Sequence, residues 1–165
     1  MASLVDTNVL VYRVDSRFSE KQRIATDLLR GRLRSEQLVL AHQTILEFVA
    51  AVTRPRRDLD GAALLAPETA YWEAEELLKQ FLVLYPDEQV LTTALRGASA
   101  YRLSWFDAHL WAYAEVNGLS ELISEDFEHG RHYGSVRVVN PFLAAAGSVS
   151  ELPALYDEHQ ALPST

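Results

Sequence analysis

Short apolar runs of strand length alternate along this chain with longer segments of helical periodicity, and that alternation leaves few folds open. Ser3-Leu4-Val5 reads as an entering strand, followed by Thr7-Asn8 as a turn into the apolar stretch Val9 to Tyr12. Ser19 to Arg32 follows as a charged amphipathic helix with Ile24, Leu28 and Leu29 on its buried stripe. Leu38 to Ala41 is the next buried strand, and two such strands separated by a helix point to a parallel sheet. The pattern continues with a helix over Gln43 to Thr53, ended by Arg54-Pro55, and a helix from Pro67 to Gln80. Strand Phe81 to Leu84, a helix from Asp87 to Tyr101 and a helix from Trp105 to Val116 come next. Strands at Leu122-Ile123 and Val136 to Val139 complete it, with Asn140-Pro141 as the closing turn. The expected architecture is an α/β fold with a mainly parallel central sheet.

Length and composition narrow the chemistry. The 165 residues, 48% hydrophobic, suffice for one domain with a substantial core. After Phe142 the composition shifts to Ala, Gly, Ser and Pro, so the domain is placed at residues 1–146 and a peripheral tail at 147–165. The chain contains no cysteine, which excludes disulfides, thiolate metal sites and cysteine nucleophiles. The start lacks the features of an export signal, and no apolar run reaches the roughly 18 residues of a membrane span, so a soluble, cytoplasmic protein is expected. A net charge of −8 disfavours a broad electrostatic grip on nucleic acid, although bound cations and local arginines can offset an acidic site.

Four carboxylates stand in or beside apolar segments: Asp6, Glu47, Asp107 and Asp126. A carboxylate beside a core costs free energy unless something compensates it, and a divalent cation is one such compensation. In a parallel α/β sheet, ligands gather at the C-terminal ends of the strands. Asp6 and Asp126 are expected to leave strands at that edge, and Glu47 and Asp107 to lie near the starts of helices. All four can then approach one another. Mg²⁺ or Mn²⁺ would relieve their mutual repulsion, and an all-oxygen site without a protein nucleophile suits phosphodiester hydrolysis.

Each acid also has a plain structural use. Asp6 can form an Asx turn after its strand, with Asn8 as a cap or an amide donor. Glu47 can sit on an exposed helix flank, favoured by the helix start. Ser104 and Asp107 have capping-box spacing. Ser124 can stabilise the turn that carries Glu125 and Asp126, and adjacent side chains diverge, so Asp126 is assigned before Glu125. His42 and His109 are not expected to be ligands. Arg54, Arg56 and Arg57 form the one dense basic cluster, and Arg131 and Arg137 flank the last acidic loop; each reads either as a phosphate contact or as solvated surface.

With these residues in view, the chain resembles the PIN-domain ribonucleases, in particular the toxin subunits of VapBC-type toxin–antitoxin systems. Val5-Asp6-Thr7-Asn8 is similar to the opening acidic motif, Glu47 to the second acid, Ser104-Trp105-Phe106-Asp107-Ala108 to the third, and Ser124-Glu125-Asp126 to the closing motif. Gly134 to Phe142 also resembles the final strand and turn of toxin members, so the likeness runs from Leu4 through Phe142. It implies a three-layer α/β/α sandwich and a Mg²⁺-dependent or Mn²⁺-dependent endoribonuclease. Asp6, Glu47 and Asp107 would supply the main metal contacts, and Asp126 would complete the charge and a second-ion site. It further implies an RNA substrate such as transfer or ribosomal RNA, a homodimer, and a cognate antitoxin that wraps the toxin. The apolar regions around Trp72 and from Trp105 to Tyr113 are either core or surface for such partners. Two alternatives stay open: a catalytically weak PIN-like RNA- or protein-binding module, and a PIN nuclease of RNA processing without an antitoxin. A phosphatase is disfavoured, because Asp6-Thr7-Asn8 lacks a paired-aspartate motif and no Gly-rich phosphate loop follows the first strand.

Overall fold

The computed structural model describes residues 2–32 and 38–143. Strand β1 (Ser3–Val5) leads to helices α1 (Thr7–Val14) and α2 (Ser19–Arg32), then β2 (Leu38–Ala41) to α3 (His42–Thr53). A single 3-10 turn at Arg57–Leu59 precedes α4 (Pro67–Gln80), β3 (Leu82–Leu84), α5 (Glu88–Tyr101) and α6 (Trp105–Val116). The last elements among the described residues are β4 (Glu121–Ile123), β5 (His132–Tyr133) and β6 (Val136–Val139). Among the described residues these strands form one sheet in the order β3-β2-β1-β4-β6-β5. Every pairing is parallel except β5 with β6.

Alternation along the strands divides the core in two, because successive side chains leave opposite faces of a sheet. Val5, Leu38, Leu40 and Ile123 pack with Val9 to Tyr12 of α1, Leu29 of α2, Phe48 and Val52 of α3, and Leu77 of α4. Leu4, Val39, Ala41, Leu122 and Val138 pack with Val90 and Ala94 of α5 and with Leu110 to Ala114 of α6. The result is the expected α/β/α sandwich. On α2, Leu29 is buried and Ile24 and Leu28 pack against the first of these clusters, as their periodicity predicts.

The element boundaries differ from the sequence reading at instructive places. Thr7 to Val14 is a helix rather than a turn followed by an apolar stretch. Its residues Thr7 to Tyr12 are all buried, so it carries no amphipathic period to read. Asp87 is the N-cap of α5, its side chain accepting from the Val90 N–H at 2.9 Å. Arg54 leaves α3 in extended geometry before Pro55. The two-residue strand β5 was not anticipated. No helix among the described residues is long and apolar enough to cross a membrane. The tail assigned to 147–165 lies outside the described residues.

Candidate active site

β1 lies between β2 and β4, and the chain leaves it towards β2 on one side while β4 is reached only much later on the other. Connections that diverge in this way open a crevice at the C-terminal ends of the strands. Asp6 directly follows β1 there, and Ser124 to Asp126 directly follow β4. Glu47 sits in the second turn of α3, after β2, and Asp107 in the first turn of α6.

Asp6 is buried and serves as N-cap of α1, with one oxygen accepting from the Thr7 N–H at 2.6 Å. Its other oxygen accepts from Ser124 Oγ at 2.5 Å and from Asn8 Nδ2 at 3.2 Å. The same Asn8 amide donates to Asp126 Oδ2 at 3.0 Å, so one side chain bridges the acids that follow β1 and β4. Asp126 stands at the exposed rim with that oxygen turned inward, and its backbone N–H donates to Ser124 Oγ at 3.0 Å. The turn and capping contacts expected of Asp6 and Ser124 are therefore made, and they bring the acids that follow β1 and β4 together.

Glu47 is held on both oxygens. Thr7 Oγ1 donates to one at 3.0 Å, and Gln43 Nε2, one turn earlier on α3, donates to the other at 2.7 Å. Gln43 Nε2 also donates to the Phe106 carbonyl at 3.0 Å. Ser104 caps α6: its Oγ accepts from the Asp107 N–H at 3.3 Å and donates to Asp107 Oδ2 at 2.6 Å. The capping contact is made, but the Asp107 carboxylate answers the hydroxyl of Ser104 rather than its backbone N–H.

Electrostatics record how close the acids lie. Burial first, and then the charges of Asp126 and Glu47, push Asp6 well above the ordinary carboxylate range, against the opposing bonds from Ser124 and Thr7. Burial, with the charges of Glu125 and Asp107, raises Asp126 to about 6, while Asn8 and Lys21 oppose the shift. Burial also raises Asp107, against the Ser104 bond. Among the described residues, no three Asp, Glu or His side chains close tightly enough to form a metal-holding group as they stand. The donor chemistry nonetheless fits a hard divalent cation. All donors are oxygens, the like charges still push Asp6 and Asp126 up despite the nearby Lys21, and Asn8 Oδ1 is buried among them without a hydrogen-bond partner. Mg²⁺ at phosphoryl sites is commonly held by one or two carboxylates together with substrate oxygens and water, so a protein cage of three ligands is not required.

Glu125 points away from this group. It accepts from Lys21 Nζ at 2.6 Å, and the ammonium also donates to Tyr12 Oη at 2.9 Å and lies 4.3 Å from the Tyr12 ring centroid. His109 faces Gln43 rather than the acids, its Nδ1 2.6 Å from Gln43 Oε1. Of the arginines, Arg56 pairs with Asp58, Arg131 with Glu128, and Arg137 lies 4.0 Å from Glu121. Trp72, Trp105 and Phe106 are exposed, whereas Trp111 and Tyr113 belong to the core. Gln43 and Lys21 were given no role at the site by the sequence reading. Gln43 carried a signal, since it precedes Glu47 by four residues on one helical face; Lys21 carried none, because its partner is 104 residues away.

Comparison with known proteins agrees with this fold. The family model described as PIN domain matches residues 3–134. No curated protein matches the sequence. Among solved structures, VapBC2 from Rickettsia felis bound to a DNA fragment from its promoter contains a chain similar at TM-score 0.62 and 9% identity. That match covers 84% of this chain and 97% of the other. A toxin–antitoxin complex from Klebsiella pneumoniae gives TM-score 0.60 at 19% identity, over 84% of this chain and 97% of the other. DNA-bound VapBC from Salmonella typhimurium gives 0.62 at 14%, over 84% and 96%.

Proposed function

Because this chain belongs to the PIN domain family, we propose that it is a divalent-metal-dependent endoribonuclease and the toxin of a toxin–antitoxin pair. The observation that carries this reading is the bridged pair Asp6 and Asp126, raised by burial and by like charge at the C-terminal edge of the sheet. Asp6, Glu47, Asp107 and Asp126 are the residues that would hold Mg²⁺ or Mn²⁺. A divalent cation supplies the polarisation of a phosphodiester and the activation of water that hydrolysis needs. The chain's own side chains keep the carboxylates in place: Ser124 and Asn8 for Asp6 and Asp126, Thr7 and Gln43 for Glu47, Ser104 for Asp107.

The substrate on this reading is structured RNA such as transfer or ribosomal RNA, met in the cytoplasm. Arg54, Arg56, Arg57, Arg131 and Arg137 are the cations proposed to steer its backbone towards the acidic edge. The exposed side chains of Leu46, Tyr71, Trp72, Leu91 and Leu95 offer apolar surface for an antitoxin and for a second copy of the chain. Likeness in fold to chains of toxin–antitoxin complexes supports the antitoxin.

A second reading, a PIN-like module that binds RNA or protein without cutting, draws on one observation: internal hydrogen bonds engage all four acids and no metal-holding group closes among the described residues. End-labelled cleavage of total transfer and ribosomal RNA separates the two. Discrete fragments that need Mg²⁺ or Mn²⁺, vanish with EDTA and vanish in an equally folded Asp107→Asn protein support the nuclease. RNA retained intact under all of these conditions supports the binding module.

A further inference from the structure

Gln43 is a buried amide with every polar function engaged. Its nitrogen reaches the Glu47 carboxylate at 2.7 Å and the Phe106 carbonyl at 3.0 Å, and its oxygen lies 2.6 Å from His109 Nδ1. The chemistry of the partners fixes the orientation. A carboxylate and a carbonyl only accept, so the NH₂ group must face them, and turning the amide over would set its oxygen against two acceptors. The amide oxygen is then left to His109, whose Nδ1 must carry the hydrogen. The ring is held at that angle by Tyr113, edge-on at 5.2 Å, and by Trp105 at 6.0 Å.

Two of the acids come from elements far apart in the chain, Glu47 from α3 and Asp107 from α6. Gln43 ties the first to the backbone carbonyl immediately before the second. We propose that Gln43 is a positioning residue that sets Glu47 in register with Asp107, with His109 locked as the Nδ1–H tautomer that completes the link. Its consequence for cleavage rests on the nuclease reading; its structural content does not. Partners that orient carboxylates at metal sites typically change metal affinity or activity by about 10-fold to 100-fold when removed.

The test compares wild type with Gln43→Met, which keeps the length of the side chain and removes its hydrogen bonds. Three quantities are read: the His109 tautomer from ring ¹⁵N shifts, the midpoint of a Mn²⁺ titration of the RNA-free protein, and kcat and KM on an RNA that wild type cuts. The expected result is an Nδ1–H tautomer in wild type, a Mn²⁺ midpoint at least about 10-fold higher in the folded variant, and a kcat loss of similar size at unchanged KM. A merely structural role would lower the melting temperature and leave the midpoint in place. An Nε2–H tautomer in wild type, or a folded variant with an unshifted Mn²⁺ midpoint, overturns the proposal. If wild type cuts no RNA, the nuclease reading fails while the tautomer and the Mn²⁺ midpoint still decide about Gln43. If the variant does not fold, the wild-type tautomer alone decides, since it needs no substitution.

Discussion

Ser124 Oγ donates to Asp6 Oδ2 across 2.5 Å, joining the residue that follows the central strand to one 118 positions later. The same hydroxyl accepts from the Asp126 N–H at 3.0 Å, so one serine fixes both a carboxylate and the loop that carries another. Ser124→Ala should cost about 1.5–3 kcal/mol, the range for a hydrogen bond to a charged group. If the proposed nuclease reading holds, cleavage should fall by at least about 10-fold, the effect of removing groups that orient carboxylates at metal sites. Urea denaturation and initial rates on the same preparation check the two together; wild-type values in both would refute the role.

The raised acids make a pH prediction of definite sign. Asp6 and Asp126 bind protons more tightly folded than unfolded, so their contribution to stability is present at low pH and lost as pH rises through their folded values. For Asp126 that window runs from the ordinary carboxylate range to about 6. Asp107, raised by burial, adds to this loss. Asp58, lowered to about 2 by Arg56 and Arg17, acts in the opposite sense below the window. Glu76, lowered by Lys79, and His109, lowered by burial, oppose it within the window, so the three raised acids set the net sign. In EDTA the melting temperature should therefore fall between about pH 4 and pH 6. Mg²⁺ should flatten that fall by occupying the folded site. A profile that rises through the window in EDTA would contradict the arrangement.

Removing one of the crowded charges should stabilise the metal-free protein. Asp126→Asn keeps the shape and relieves the repulsion from Glu125 and Asp107. Because the residue is exposed at the rim, solvent screening limits the gain to about 1 kcal/mol, or roughly 2–4 °C in melting temperature. The same substitution should weaken cleavage. Thermal melts at pH 7 in EDTA, set beside activity with Mg²⁺, measure the trade; a lower melting temperature for Asp126→Asn would count against unrelieved repulsion.

Packing between α5 and α6 gives a prediction independent of function. A Cβ placed on Gly97 would lie 2.1 Å and 2.6 Å from atoms of the buried Trp111 ring. Gly97→Ala should destabilise by about 1–3 kcal/mol despite the better helix propensity of alanine, since the ring must move to admit it. Trp111 Nε1 donates to the Tyr133 carbonyl at 2.8 Å, so that displacement should also loosen β5. Chemical denaturation and amide exchange at β5 test both effects.

The ion pair of Lys21 with Glu125 is only partly exposed, at 21% and 17% of the side chains. Lys21→Met leaves Glu125 facing Tyr12 without its cation and should cost about 1–3 kcal/mol, less than the loss typical of a fully buried pair. Adding Glu125→Gln should restore part of it. A double-mutant cycle in urea measures the coupling, and strictly additive losses would show that the pair contributes nothing of its own.

The sequence revealed the strands, the long helices and the acids because each carries a local signal: an apolar run of strand length, a stripe with helical period, or a charge where charge is costly. Asp6, Glu47, Asp107 and Asp126 all come to the expected edge for that reason. Helix α1 was hidden because its residues are buried on nearly every side, so burial erased the periodicity that marks a helix. Glu125 could not be separated from Asp126 by charge, and only the fold shows it turned to Lys21. Gln43 lay within reach of sequence reasoning through its spacing to Glu47, but its contacts with Phe106 and His109 depend on how α6 docks.

The site draws on Asp6 near one end of the described chain and on Ser124 and Asp126 near the other, joined across the central strand. A growing polypeptide still attached to the ribosome therefore holds Asp6 with its neighbours Thr7 and Asn8 long before its partner Ser124 exists. Until β4 emerges and pairs with β1, Asp6 has neither the Ser124 hydroxyl nor the Asp126 loop beside it. A message broken before the β4 codons thus yields only fragments that carry at most Asp6, Glu47 and Asp107, without Asp126 and without the Ser124 hydroxyl that holds Asp6.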